Sequence, residues 1–240
     1  MKSKYVSGLL AAMLLLSAVP TTTFAAGTEE TPQLIAPSPV ISIQPMEDLP
    51  ADHWAHDAAV RLMTLGIMAP VQEHTFAPEA LFTREMFVYA LWHMSGKPTA
   101  NAPLTFKDVD ANTAEAEAIR WAAAEKIISG YTEDSFGPKD SITREQMSKM
   151  VYAYVQKYDM GFKGMWMFQL PYEDAKDLAD WAFEPMHWMV ASHIIQGVTP
   201  TLLMPQGTVT RAQGVVMLSR LLDTATEKGV DFLTYGKSEI

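Results

Sequence analysis

The chain has 240 residues, 48% of them hydrophobic, and sets 28 acidic side chains against 18 Lys and Arg for a formal charge of −10, with no cysteine. That length permits one sizeable domain or two small ones with a buried core, and the lack of cysteine excludes disulfides, a thiolate nucleophile and a cysteine zinc site. An acidic surface repels nucleic acid and anionic lipid, so any anionic partner has to be met by a local basic pocket.

At the N-terminus Lys2 and Lys4 precede an apolar run from about Val6 to Val19, and Thr23-Phe-Ala25 stands before Ala26. This is the charge, apolar stretch and small-residue site of a secretory signal peptide. Residues 1–25 are therefore expected to be removed on export, which takes away two lysines and leaves a charge of −12. The run is shorter than the ~20 residues of a membrane span, and no later segment is long enough to cross a bilayer, so the mature chain is expected to be secreted and soluble. Residues 26–46 are rich in Pro, Thr and Ser without helical periodicity and read as an extended linker.

From Glu47 onward three segments line up, at about 47–94, 106–158 and 172–222; such self-similarity marks a repeat architecture. Ile67 to Arg84, Ile127 to Arg144 and Ile194 to Arg211 each span 17 positions, and between them Phe76, Phe136 and Leu203 align, as do Pro78, Pro138, Pro205 and Thr83, Thr143, Thr210. Asp48 and Asp108 lie 19 positions before their isoleucines and Asp174 lies 20 before its own, so repeat 3 carries one extra residue. Each unit reads as helix, loop, helix: in repeat 1 Trp54, Ala58, Leu62 and Leu65 recur at helical spacing, and Met86, Phe87, Ala90 and Leu91 continue the second helix. The threonine is the start signal, and Thr143-x-x-Gln146 and Thr210-x-x-Gln213 complete capping boxes, whereas repeat 1 has Met86 at that place. Short extended pieces are expected at most near Thr75-Phe76 or Ser135-Phe136. The fold class is therefore all-α, three helix-loop-helix repeats in one domain over residues 47–222, followed by a C-terminal tail, 223–240.

Arg84, Arg144 and Arg211 each open a second helix, where a cation meets the positive end of the helix dipole at a cost of about 0.3 kcal/mol. Two roles would offset it. A guanidinium beside free backbone N–H groups forms an anion site able to grip a carboxylate in two-pronged fashion. Alternatively each arginine pairs with an acid such as Asp48, Asp108 or Asp174 and pins the three units together.

At these residues the chain resembles the S-layer homology (SLH) family, whose repeat reads approximately F-x-D-V, Trp-Ala, Ala-Ile, Gly-Ile, Gly-Tyr-x-Asp-Gly-x-Phe-x-Pro and Ile-Thr-Arg-Ala-Glu. Repeat 2 carries the likeness through Phe106-Lys-Asp-Val109, Ala118-Ile119, Gly130-Tyr-Thr-Glu-Asp-Ser-Phe136, Pro138 and Ile142-Thr-Arg-Glu-Gln146, and the whole likeness covers Glu47 to about Leu222. The resemblance implies one pseudo-threefold domain that binds a secondary cell-wall polymer, often through pyruvylated sugars, and holds exported proteins on the bacterial cell surface. By it, Arg84, Arg144 and Arg211 take the position of the polymer-contacting arginine, and Trp54, Trp181 and Gly130 join them as polymer-binding candidates. The two tryptophans could stack on a sugar face, although their helical spacing favours a place in the core. The chain departs from the family pattern in several places. Ala69-Pro-Val-Gln-Glu-His74 replaces the Ser-Gly-Tyr turn in repeat 1, Gly197-Val-Thr-Pro-Thr-Leu-Leu203 carries no acid in repeat 3, Ala114 stands for the tryptophan of repeat 2, and an insertion, Met160–Gln169, is foreign to the pattern.

Other chemistries fit less well. His53 and His56 are three apart on a helix but have no third ligand, so no metal site is expected. Glu47-Asp48 and Glu173-Asp174 occupy equivalent repeat positions, which makes them structural rather than glycosidase carboxylates. Glu85 and Glu145 suit a helix start and need no further role. No phosphate loop, G-x-S-x-G elbow or H-E-x-x-H is present. Met63, Met147, Met150 and Met217 fall on apolar faces and read as core. The expected function is non-catalytic: an exported, cofactor-free protein that holds an anionic secondary cell-wall polymer in Arg-centred grooves, three weak grooves on one body acting together. The alternative is an envelope protein-interaction or assembly module. It is suggested by the absence of a cargo segment beyond linker and tail, and would present an apolar surface around Met165-Trp-Met-Phe168.

Overall fold

A computed structural model describes residues 44–163 and 168–232. The expected signal peptide, nearly all of the expected linker, residues 164–167 of the insertion and the end of the tail lie outside the described residues. The six α-helices are α1 (His56–Thr64), α2 (Arg84–Met94), α3 (Ala114–Ala124), α4 (Arg144–Gln156), α5 (Phe183–Ala191) and α6 (Arg211–Glu227). Two short 3-10 turns, Ala175–Asp177 and Asp180–Ala182, lead into α5. Extended backbone among the described residues is confined to isolated bridges, one of them Gln72–Thr75. The fold is all-α.

The second helix of each repeat starts where the sequence places it. The hydroxyls of Thr83, Thr143 and Thr210 accept from the N–H of Met86, Gln146 and Gln213, and the reciprocal half of the capping box forms only in α4 and α6, because Met86 has no side-chain acceptor. Each second helix then packs on the first helix of the following repeat: α2 on α3, α4 on α5, and α6 back on α1. The contact thus runs in one rotational sense and closes on itself, a head-to-tail ring inside a single chain.

Backbone hydrogen bonds repeat this circuit at the centre. Phe82 N–H donates to the Val209 carbonyl (2.8 Å), Val209 to Ile142 (3.0 Å) and Ile142 to Phe82 (2.9 Å). One step outward, the N–H groups of Arg84 and Glu85 donate to the carbonyls of Asp140 and Pro138, those of Arg144 and Glu145 to Gly207 and Pro205, and those of Arg211 and Ala212 to Ala80 and Pro78. The first-turn N–H groups that the sequence left free for an anion are therefore already satisfied by the next repeat.

The three arginines complete the ring. Each is only 3% exposed. Arg84 donates from Nε to the Phe136 carbonyl (3.0 Å) and from Nη2 to that of Ser129 (3.3 Å). Arg144 reaches Leu203 and Gln196 in the same way, and Arg211 reaches Phe76 (2.8 Å) and Ala69 (2.9 Å). The arginines do pin the units together, but through carbonyl oxygens rather than through Asp48, Asp108 or Asp174. Those acids instead cap a turn: Asp48 accepts from the N–H of Phe76 and Ala77, Asp108 from Phe136 and Gly137, and Asp174 from Leu203 and Met204. They thereby hold the very carbonyls the arginines need. Glu85 and Glu145 also do more than suit a dipole: both are buried, Glu85 pairing with Lys139 and Glu145 accepting from Gln206 and the Ala179 N–H.

The packed domain extends past the expected end of repeat 3. The last helix continues to Glu227, and Phe232 is buried against Tyr154 and Tyr158, ring centroids 5.0 and 4.7 Å away.

Two outcomes follow for stability. Replacing Arg211 by Ala leaves the carbonyls of Phe76 and Ala69 without their donor and is expected to lower the unfolding free energy by about 3 kcal/mol, measured by urea denaturation; a loss below about 0.5 kcal/mol would refute the pin. Burial opposes ionisation of Asp108 and Asp174. The backbone N–H groups each accepts from outweigh it, and both carboxyls titrate below the ordinary aspartate value of 3.8. A depressed carboxyl stabilises the fold above its unfolded pKa and stops doing so as pH falls through the folded one. The melting temperature of Asp174→Asn should therefore fall below wild type at pH 7, and the gap should close as pH drops below 3.8.

Candidate functional site

A groove of about 620 Å³ lies at the junction of repeats 1 and 2. Its floor comes from the end of α3 and the loop Ile127–Tyr131, one wall from Gln146, Lys149, Met150 and Ala153 on α4, and its ends from Arg84 of repeat 1 and Trp181 of repeat 3. Three cationic side chains, Arg84, Lys126 and Lys149, line it, and no carboxylate does.

Each member is placed by a local cause. Arg84 spends Nε and Nη2 on carbonyls, and its Cζ lies 4.5 Å from the ring centres of both Tyr131 and Phe136. Its Nη1 has no partner among the described residues and is not sealed away, since the fully buried side-chain polar atom left unpaired among them is Nε2 of His93. The expected two-pronged grip by a whole guanidinium is thus replaced by a single NH2 group facing the groove. Burial lowers the pKa of Arg84, opposed by Tyr131, Asp140 and Asp108, and burial pushes Arg144 down to about 10, so Arg144 is charged at neutral pH.

Lys126 sits at the residue just past the α3 C-terminus with φ of +59°, a left-handed position that favours glycine and costs other residues about 1 kcal/mol. Repeat 1 has Gly66 there (φ +68°) and repeat 3 has His193 (φ +56°). Lys149, one turn and a half into α4, holds its Nζ 5.2 Å from the centre of the Trp181 ring, a cation–π contact that fixes the indole at the rim. Gly130 is required by close approach: a Cβ there would come within 2.3 Å of the Thr132 carbonyl, 2.4 Å of that of Ser135 and 2.6 Å of the Phe106 ring.

Of the residues the sequence singled out, Arg84, Gly130 and Trp181 meet in this groove, while Arg144, Arg211 and Trp54 occupy the equivalent places at the other two repeat junctions. The favoured core reading of the tryptophans is corrected. Trp54 is 61% exposed and Trp181 45% exposed, because both precede their helices in turns rather than lying on an apolar helical face. Lys126, Lys149, Tyr131 and Gln146 were not anticipated. The signal for Lys126 was available, a lysine at the repeat position that holds glycine in repeat 1; Lys149 carried none, being an exposed helical lysine like any other. His53 and His56 are used locally, His53 Nδ1 accepting from the Ala55 N–H (3.2 Å) and His56 Nδ1 lying 2.9 Å from the Leu49 carbonyl. Among the described residues no cluster of three His, Asp or Glu side chains could hold a metal ion.

Comparison with known proteins agrees with this architecture. The model of the S-layer homology domain matches residues 105–148 and 171–213. A cellulosome-anchoring protein of Acetivibrio thermocellus is 26% identical over 189 residues, 78% of this chain and 40% of that protein. An endoglucanase of Bacillus sp. (strain KSM-635) is 27% identical over 179 residues, 74% of this chain and 19% of the enzyme. An amylopullulanase of Thermoanaerobacterium thermosulfurigenes is 26% identical over 174 residues, 72% of this chain and 9% of the enzyme. The chain spans less than half the length of each of these relatives, and it matches the two enzymes over a small part of theirs. Repeat 1 lies outside the family match, yet its arginine, turn-capping aspartate and capping threonine make the same contacts as those of repeats 2 and 3. Repeats 2 and 3 are thus each similar to the S-layer homology domain.

Proposed function

We propose that the protein is a non-catalytic cell-surface module that binds an anionic secondary cell-wall polymer without covalent linkage, through Arg-centred grooves between its repeats. The observation that carries this reading is the groove lined by Arg84, Lys126 and Lys149 with no acid in it, on a chain whose formal charge is −10. A local concentration of positive charge on an acidic surface focuses a field that draws an anion to that cleft while the rest of the surface repels it. The Trp181 indole, half exposed beside Lys149, offers a flat apolar face for a sugar ring.

The test is co-sedimentation of residues 26–240 with sacculi from the host, before and after chemical stripping of the secondary polymer. Retention by intact sacculi that is lost on stripping, and reduced at least tenfold by Lys149→Glu in a normally folded protein, is expected. Indifference of the wild type to intact sacculi would overturn the reading and turn attention to a protein partner, which the exposed Phe168 and Phe183 could meet. Lys126→Gly separates stability from binding: relief of the left-handed strain should raise unfolding free energy by about 0.5–1 kcal/mol, read by thermal melting, while retention on sacculi falls.

A further inference from the structure

The pseudo-threefold ring makes three grooves, but their walls differ at one position. In the groove between repeats 1 and 2 the tenth residue of α4 is Ala153, which lines the open cavity together with Lys126 and Ile127. The equivalent residue of α6 is Arg220, whose Nη1 crosses to the carbonyl of Ile194, 3.4 Å away, at the end of α5. The equivalent residue of α2 is His93. Its ring lies 4.3 Å from the Tyr89 ring, and the backbone of Gly66 at the end of α1 is near enough to act on it. Its Nε2 is buried with no hydrogen-bond partner among the described residues, so that edge of the ring is closed to solvent.

The charges differ with the space. The positions of Lys126 and Lys149 are Gly66 and Tyr89 around Arg211, and His193 and Val216 around Arg144. The cavity found at repeat 3, about 400 Å³, is lined by Tyr172 and Gln196–Pro200 and includes no residue of α6. In the Arg211 groove the indole is missing as well, its place being taken by Ala114 at the start of α3.

We infer that the groove between repeats 1 and 2 is the single polymer site, and that His93 with Tyr89 and Arg220 close the other two by spanning the gap that Ala153 leaves open. Arg144 and Arg211 then serve the ring alone, while Arg84 serves both ring and ligand. The inference rests on the anion-groove reading and refines it: one site of three cations replaces three sites of one.

Rim positions test it, exposed at Trp54, Trp181, Lys149 and Ala114 and partly buried at Val216. Trp181→Ala and Trp54→Ala remove equivalent indoles from different grooves, and Lys149→Glu, Val216→Glu and Ala114→Glu place an acid in each groove in turn; circular dichroism and melting temperature verify each fold. Sacculus retention is expected to fall at least tenfold for Trp181→Ala and Lys149→Glu, and to stay within twofold of wild type for Trp54→Ala, Val216→Glu and Ala114→Glu. A loss for any of the latter three comparable to that of Lys149→Glu would overturn the single-site inference while leaving the polymer-binding reading intact, because three cooperating grooves each contribute to avidity. Indifference of wild-type protein to sacculi would overturn both.

Discussion

A guanidinium buried against carbonyl oxygens of the next repeat is the interaction on which the rest of the molecule depends. Burying a cation without an acid is expensive unless every donor finds an acceptor, and here Nε and Nη2 of each arginine do. The acceptors are loop carbonyls, which wander unless the loop is held, and Asp48, Asp108 and Asp174 hold it by gripping two N–H groups apiece. Arginine, carbonyl and aspartate therefore form one unit, repeated three times, in which the acid acts on the cation through a peptide group rather than by touching it.

This arrangement explains how an acidic chain comes to own a cationic cleft. The pin carries the end of Arg84 to the junction of two repeats, and the cleft exists because the junction is not filled there. Lys126 and Lys149 add charge from elements already fixed by the ring, one at a helix end and one on a helix wall. What distinguishes the three junctions is not the pin, which is the same in all, but the size and the charge of the side chains that line them.

Much of this was legible before any coordinates. The 17-residue spacing from isoleucine to arginine, the threonine caps and the all-α class follow from periodicity and capping chemistry, which are local. The direction of the pin was not legible: pairing Arg84 with an acid and pairing it with Phe136 O look alike in one dimension, since a backbone acceptor leaves no mark in the sequence. Trp54 and Trp181 misled for a related reason. Their spacing from later apolar residues suits a helix, but the chain is still in a turn when it passes them. Of the groove, Arg84, Gly130 and Trp181 could be named, whereas Lys149 matters only because the fold sets repeat 3 beside repeat 2.

The circuit of contacts also has an order in time. Arg211 completes a turn whose carbonyls, at Phe76 and Ala69, lie 135 and 142 residues earlier, and the central cycle of Phe82, Ile142 and Val209 cannot close until its last member is present. Each helix pair within the first two repeats can form locally, but the first repeat gains its final partner only when α6 arrives. Such long-range closure is slow relative to helix formation, and it makes the N-terminal repeat wait for the C-terminal one. A chain made or threaded from its N-terminus thus stays incomplete until nearly all of it has appeared, and a truncation ahead of α6 removes the support of repeat 1 rather than merely shortening the array.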